Sequence, residues 1–556
     1  MRKQTKLVAV LSAAALLAIG ASMTSFAATP HWDQQDGEWV YLDRNGDRVT
    51  DEWKKSNGQW YYLDENGFMA RNVVVEDDDD KYYVGEDGAR VTNAWVSMDN
   101  DDLLDDDDES DSIDTVWMYF DGTGKALGCD TTNGEIKKLS YGDGQSAYFI
   151  FNEDGYMLSG WKKWTKDGTN DKLYYLGGQN EGWAHTGWQY LEVDPDIDAF
   201  AGINEDADEY EDEAYFYFRS NGKAYVDEDT SIGGKTYIFD EYGRMLDLWV
   251  YPTGTDSDSG YTNENASSSD VNSAFYLEDN GGREKNWVFA YPNTSYDNYS
   301  DDPYWFYLDS KGKPFRADQK AKDDNKLSGI GTAYRIDDDD VTDTTDAEYN
   351  GRVAAKSIKS ETYLFNDKGV MLSGLYWLGG IDEYDTTAAN EVHKGTSGAM
   401  TPGLYYFTID GDHSSIEGQM VTNKKVKIDV HGDDETYYFK KSGEAHRSAI
   451  ISGYVYGKDG KLVTDYGDGS TYQCVEIQDI AMKYEDAIPD GTDSKYAGKY
   501  VLLDKSGNVE FAGDAGDEVL INENGKIRKS GTITDVNDQK VKTNGDYKVE
   551  SKKDDD

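Results

Sequence analysis

Three glycines, Gly46, Gly67 and Gly88, recur at a constant step (46, 67, 88; a step of 21). Each sits in the same local setting, behind a short aromatic run and an acidic or Asn-containing turn. A fixed short period marks a repeat array rather than one compact core. The best-preserved copy is Trp53 to Asn72, WKKSNGQWYYLDENGFMARN. Within it, Gln59-Trp60-Tyr61-Tyr62-Leu63 is a β-rich run whose side chains alternate between two faces. Trp60 and Tyr62 share one face, and Tyr61 and Leu63 the other. Asp64-Glu65-Asn66-Gly67 reads as the hairpin turn, with Phe68-Met69-Ala70 beginning the return strand. A single two-stranded hairpin is marginal in water. Stacking on neighbours buries the Tyr61 and Leu63 face continuously, which is why such units come in arrays.

The first copy is WDQQDGEWVYLDRNGDRVTD, from Trp32 to Asp51. A third, with acids in place of the leading Trp, ends at Asn93, and Trp95 opens the next. Looser copies continue to VLINENGKIRKSG (Val519 to Gly531), separated by acidic insertions at 99–111, 194–213, 253–270 and 337–346. With 43 Tyr, 14 Trp, 57 Gly and 8 Pro in 556 residues, the composition favours strands and turns over helices. The expected fold is all-β: a repetitive β-hairpin solenoid with irregular acidic loops inserted between hairpins. Four segments are expected: a signal peptide at 1–27, well-preserved repeats at 28–128, a degenerate array at 129–531 and a polar tail at 532–556.

The net charge is −54, which disfavours nucleic acid and anionic membrane as partners, since phosphate is met by Lys and Arg. Arg2, Lys3 and Lys6, the apolar run Leu7 to Gly20 and the small residues before Ala27 read as a secretory signal. The apolar run is short for a membrane span, so no transmembrane anchor is expected and the mature chain is placed outside the cell. Cys129 and Cys474 are read as two unrelated thiols, not as a disulfide framework or metal site. The acidic insertions read as solvated loops. Calcium binding is the sharper alternative, but the twelve-residue loop ending in Glu that would specify it does not occur.

Catalysis finds no foothold. The histidines His31, His185, His393, His413, His431 and His446 are scattered, and neither HExxH, a GxSxG elbow nor a Walker loop occurs. Neither a catalytic residue nor a cofactor is expected. The aromatic pattern carries more. Rings from neighbouring units can form an open box that attracts a quaternary ammonium by cation–π contact, roughly 0.5–2 kcal/mol per ring, or platforms on which sugars stack. The candidate ligand-binding rings are Trp32, Trp39, Tyr41, Trp53, Trp60, Tyr62, Tyr83, Trp95, Trp117, Trp161 and Trp188. The middle rings Tyr61, Phe216, Tyr237 and Tyr405 are assigned to the core.

The segment Gly58-Gln59-Trp60-Tyr61-Tyr62-Leu63-Asp64-Glu65-Asn66-Gly67-Phe68-Met69, with Trp53 before it, resembles the choline-binding, or cell-wall-binding, repeat of secreted Gram-positive bacterial proteins. Gly160-Trp161 and Gly187-Trp188 reproduce its Gly-Trp lead-in. The resemblance implies a β-solenoid with aromatic pockets between successive turns, each built from a lead-in Trp, a first-strand aromatic and a Tyr of an adjoining unit. Carried over, these are Trp53, Trp60 and Tyr62 or Tyr83. Units with Lys81, Leu173, Thr236, Ala274, Thr362, Leu404 or Thr436 at the first-strand position lose a pocket wall. The implied role is a non-catalytic surface protein held on the cell wall through choline on teichoic acid or polysaccharide. The alternatives are a glucan- or glycan-binding adhesin and a structural surface scaffold.

Overall fold

A computed structural model describes residues 29–99, 115–129, 131–142, 144–166, 172–203, 211–252, 260–262, 274–291, 303–317, 330–337, 352–378, 403–409, 417–489 and 491–554. The signal-like stretch 1–27 and most of the acidic insertions at 99–111, 253–270 and 337–346 lie outside these residues. The chain forms two compact units, Met1–Asp247 with Pro252–Thr262, and Leu248–Tyr251 with Asn263–Asp556.

The first unit is a succession of two-stranded antiparallel hairpins. The opening four are β1 (His31–Gln35) with β2 (Glu38–Leu42), β3 (Glu52–Ser56) with β4 (Gln59–Leu63), β5 (Val73–Asp77) with β6 (Asp80–Val84), and β7 (Ala94–Asp99) with β8 (Thr115–Phe120). The all-β hairpin array expected from the sequence is the fold. Alternation in β4 has the expected sense: Tyr61 and Leu63 are buried, Trp60 and Tyr62 half-buried.

The hairpin turn lies one step upstream of its expected place. Trp53 pairs with Tyr62 and Ser56 with Gln59, so the chain reverses at Asn57-Gly58, where φ is 50° and 88°. Two left-handed central residues make the tight turn whose twist matches paired strands, and Asn-Gly tolerates them best. Asp36-Gly37 does the same between β1 and β2, with φ of 56° and 94°. Trp53 is therefore not a residue leading into the hairpin but the cross-strand partner of Tyr62.

The Asp64-to-Gly67 turn exists but connects one hairpin to the next. Asp64 Oδ1 accepts the N–H groups of Asn66 (2.9 Å) and Phe68 (2.7 Å), so the side chain organises its own turn. A single bridge, Leu63 to Met69, follows. The residue two places after the turn glycine then clips onto the hairpin before it. Met69 N–H donates to the Trp39 carbonyl, Arg90 to Trp60, Ala126 to Lys81, Met157 to Trp117 (each 2.8 Å). The next turn glycine lies flat on that clip residue: a Cβ on Gly88 would stand 2.6 Å from Met69, far inside van der Waals contact.

In the second unit the strands partly merge. Met371–Leu372, Glu361–Asn366, Arg352–Ile358, Ile330–Arg335, Gly374–Leu378 and Gly403–Phe407 form one six-stranded sheet in that order. Thr362 to Leu375, part of the looser array of copies, therefore contributes to a continuous sheet. The reason is local: GLYWL and GLYYF are apolar at consecutive positions and buried on both faces, whereas EWKKS in β3 keeps one face polar. Nearer the C-terminus, Ala449 pairs in parallel with Leu503, and two short helices intervene, Ile477–Ile480 and Tyr484–Ala487. Residues 532–554, within the stretch expected as a polar tail at 532–556, instead supply most of a three-stranded sheet, Gly531–Thr534, Gln539–Thr543 and Val549–Asp554. Val541, Thr543 and Tyr547 are its buried anchors.

Candidate aromatic ligand cages

The junction between successive hairpins repeats one arrangement of rings. The Trp on the first strand sits edge-on between the Tyr across its own hairpin and the central ring of the next hairpin. Trp32 lies 5.3 Å from Tyr41 and 5.4 Å from Tyr61; Trp53 lies 5.2 Å from Tyr62 and 5.3 Å from Tyr82. Trp95 repeats it with Tyr119 (5.2 Å) and Phe149 (4.8 Å), and Trp188 with Tyr217 (5.0 Å) and Tyr237 (4.8 Å). Centroid separations of this size suit the edge-to-face attraction of aromatic quadrupoles.

A cage is thus built from two repeats at once. One hairpin supplies two Trp or Tyr walls, one per strand; the next supplies its central ring and the clip residue that closes the fourth side. At the first junction the four are Trp32, Trp39, Tyr61 and Met69, packed as one cluster. At the second they are Trp53, Trp60, Tyr82 and Arg90, whose guanidinium carbon stands 5.3, 5.5 and 5.1 Å from the three rings in that order. The indole N–H groups of Trp32, Trp53 and Trp95 are buried without a hydrogen-bond partner among the described residues. Burial raises the hydroxyl pKa of Tyr61, Tyr62 and Tyr82 above the ordinary tyrosine value, so the rings are neutral at physiological pH.

The sequence-selected rings divide on this frame. Trp32, Trp39, Trp53 and Trp60 are cage walls, and Tyr41 and Tyr62 back the first-strand Trp from within its own hairpin. Tyr83 does not meet Trp53 and Trp60: alternation turns it to the opposite face, against Phe120 (6.0 Å), and Tyr82 takes the place foreseen for it. Trp95 and Trp117 occupy wall positions at the fourth junction, where Phe149 and Met157 complete the set. Trp117 is only 9% exposed, and its Nε1 donates to Asn180 Oδ1 at 3.1 Å. Trp161 is 8% exposed, wedged against Phe216 (4.7 Å) and Phe200 (4.9 Å), with Leu173 in place of a second wall. Trp188 is the open one, 37% exposed.

The central rings assigned wholly to the core have a double position. Tyr61, Phe216 and Tyr405 are buried and Tyr237 is half-buried, yet Tyr61 and Tyr237 also form the inner wall of a cage. Sequence reasoning missed Tyr215 with Trp188 (6.5 Å), and a further set in the second unit, Trp287 with Trp305 (6.2 Å) and Tyr363 (4.8 Å), clustered with Met371. The signal was present: KNWVFAY and WFYLDSKGKPF repeat the two-Trp pattern of the first copies, separated by an insertion.

Among the described residues no group of His, Cys, Asp and Glu is placed to hold a metal ion. Cys129 and Cys474 are free thiols, each pushed up to about 11, chiefly by burial. No helix of the described residues is long and apolar enough to cross a membrane.

The sequence profile of the choline-binding repeat matches residues 30–72 and 49–95, the stretch that holds the first two cages. No curated protein matches the chain in sequence. Among solved structures, the choline-binding domain of Spr1274 from Streptococcus pneumoniae is 35% identical, over 11% of this chain and 82% of that one, with a TM-score of 0.11. The modular autolysin LytC of S. pneumoniae, solved with a synthetic peptidoglycan ligand, is 18% identical over 62% of this chain, with a TM-score of 0.30; the chain covers 52% of LytC. CbpF, solved in complex with ipratropium, is 16% identical over 76% of this chain and 99% of its own, with a TM-score of 0.30. Residues 30–95 thus carry choline-binding repeats.

Proposed function

We propose that this chain is a non-catalytic, secreted surface protein that holds itself on the bacterial cell wall by lodging choline groups of teichoic acid or a related wall polymer in its inter-hairpin cages. The observation that carries this is the first junction, where Trp32, Trp39 and Tyr61 converge around a Met69 wall inside the stretch matched by the family profile. A quaternary ammonium cannot donate a hydrogen bond and is recognised by ring faces, each contributing about 0.5–2 kcal/mol. Several weak cages on one chain act together on a polymer that displays many choline groups, because each further contact forms at high effective concentration. The signal-like segment 1–27 supplies the route out of the cell, and the net charge of −54 favours a cationic group over a neutral one.

A second reading, glycan binding, draws on the Trp188 junction. There Trp188, Tyr190 and Tyr215 are all exposed, with Tyr190 and Tyr215 only 4.6 Å apart. That is a platform rather than a box, and platforms suit the apolar faces of sugars. Titration of the full chain with choline and with a panel of glucans, followed by Trp fluorescence, separates the two. Saturable quenching by choline is expected. Silence towards choline together with saturation by a glucan would replace the first reading by the second.

A further inference from the structure

We propose that Arg90 is the resident occupant of the second cage, so that the residue two places after each turn glycine decides whether a cage accepts an external cation or is already filled by the chain's own. This rests on the cage reading above and assigns which cages are available to ligand.

The clip position is the same backbone site at every junction, yet its side chain varies in kind. It is Met69 at the first junction, Met157 at the fourth, Met245 on the Tyr215 carbonyl of the Trp188 hairpin and Met371 in the cluster with Trp287. At the second it is Arg90. The backbone holds Arg90 as it holds Met69 and Met157, N–H to the Trp60 carbonyl at 2.8 Å, so its side chain starts from the same place at the junction. Its guanidinium comes within 5.5 Å of Trp53, Trp60 and Tyr82 together, the distance at which a cation is held by ring faces. A methionine at the same place is an uncharged wall that leaves the ring faces to a visiting cation.

Three further observations describe a lodged group rather than a surface arginine. Arg90 Nε is buried without a hydrogen-bond partner among the described residues, so ring contact offsets lost water. The next turn glycine closes over it: a Cβ on Gly124 would stand 2.9 Å from that Nε and 3.0 Å from Cδ. Burial also pulls the Arg90 pKa below the ordinary arginine value, with Tyr82 and Asp121 acting in the opposite direction. By contrast Arg48, at the same position one period before Met69, has no earlier hairpin among the described residues to enter. It lies over Phe68 of the following turn (4.6 Å) and donates to Gln35 Oε1 (3.0 and 2.8 Å).

The test counts sites and observes the arginine directly. Choline equivalents bound per full-length chain are measured by equilibrium dialysis for wild type, Arg90→Met, and Arg90→Met with Trp53→Ala. Separately, the Arg90 side-chain NMR signals of arginine-labelled chain are compared in wild type and Trp60→Ala. The expected result is ring-current upfield-shifted Arg90 signals that relax in Trp60→Ala, and one additional choline equivalent in Arg90→Met that the Trp53 change removes. Unshifted Arg90 signals would overturn the resident occupant. Shifted signals with no additional equivalent in Arg90→Met would overturn the control of access. If wild type binds no choline, the function proposed above fails; an equivalent gained only in Arg90→Met would still uphold Arg90 as the gate.

Discussion

The stack of β1 to β8 and the six-stranded sheet around Gly374–Leu378 start from the same local grammar and end as different objects. Both place an aromatic strand ahead of a turn closed by glycine. In the stack the partner strand is polar on one face, as in EWKKS and HWDQQ, so each hairpin stays two-stranded and leaves ring walls half-buried at the junctions. In the sheet Gly374–Leu378 and Gly403–Phe407 are apolar on both faces, and Trp377, Tyr376, Tyr405 and Tyr406 sink to between 1% and 2% exposure. The polar face, not the aromatic one, therefore decides whether a ring becomes a binding wall or core. The two regions can be told apart by what their rings cost to remove.

The largest effect is expected at Trp377. Truncating a fully buried Trp costs about 3–5 kcal/mol, so Trp377→Ala should lower the unfolding free energy of the second unit by that much, read from the fall in its denaturant midpoint. A loss under about 1 kcal/mol, close to the range of ordinary surface changes, would erase the distinction between the two regions.

Next comes the pH response of that unit. His446 is buried, and desolvation first, then Lys440 and Lys505, hold its pKa down to about 4, from an ordinary 6.5. The folded imidazole is neutral while the unfolded one takes a proton first. Its contribution is fully present above pH 6.5 and is lost as pH falls towards 4, to a limit of about 3 kcal/mol. His446→Gln should flatten the fall in stability between those pH values, read by denaturation at each pH; an unchanged slope would count against burial as the cause.

In the stack, Gly88→Ala should cost about 1–3 kcal/mol, since φ there is 73° and the added Cβ meets Met69 at 2.6 Å. Thermal melting of the chain reads it. The smallest stability change, but a clear loss of ligand, is expected for Trp39→Ala. One ring of a cage contributes about 0.5–2 kcal/mol to a bound cation, while the strand circular dichroism stays as it was. Trp60→Ala, by contrast, should leave the number of bound choline groups as it was, because its cage is closed by Arg90 and not by Met69.

Much of this architecture could be read from the residues. The period of 21, the face alternation that buries Tyr61 and Leu63, and the Asp64 turn all carry through from sequence to structure. The principal reversal was misplaced because two turn signals compete within each period. Asn57-Gly58 is the one whose dihedrals fit paired strands, and Asp64-to-Gly67 drew attention by its regular spacing instead. That shift also explains the third cage wall. Once Trp53 is seen as a strand residue opposite Tyr62, the next hairpin must present its central ring, Tyr82, and not Tyr83. The sheet in the second unit was hidden for another reason: Gly374–Leu378 pairs with Ile330–Arg335, across an insertion, and no local pattern announces a partner so distant.

A cage takes two walls from one period and its inner ring and closing residue from the next, so the unit of heredity and the unit of binding are out of phase by one. Loss of a single period by recombination need not leave a gap in the array. Deleting 52–72 in frame would bring Trp32 and Trp39 against Tyr82 and Arg90, creating a hybrid junction in which walls that now face Met69 acquire a guanidinium. Copy number and ligand capacity can then change independently: a chain can shorten or lengthen by whole repeats while a single codon after each turn glycine settles how many of the resulting junctions are free to bind.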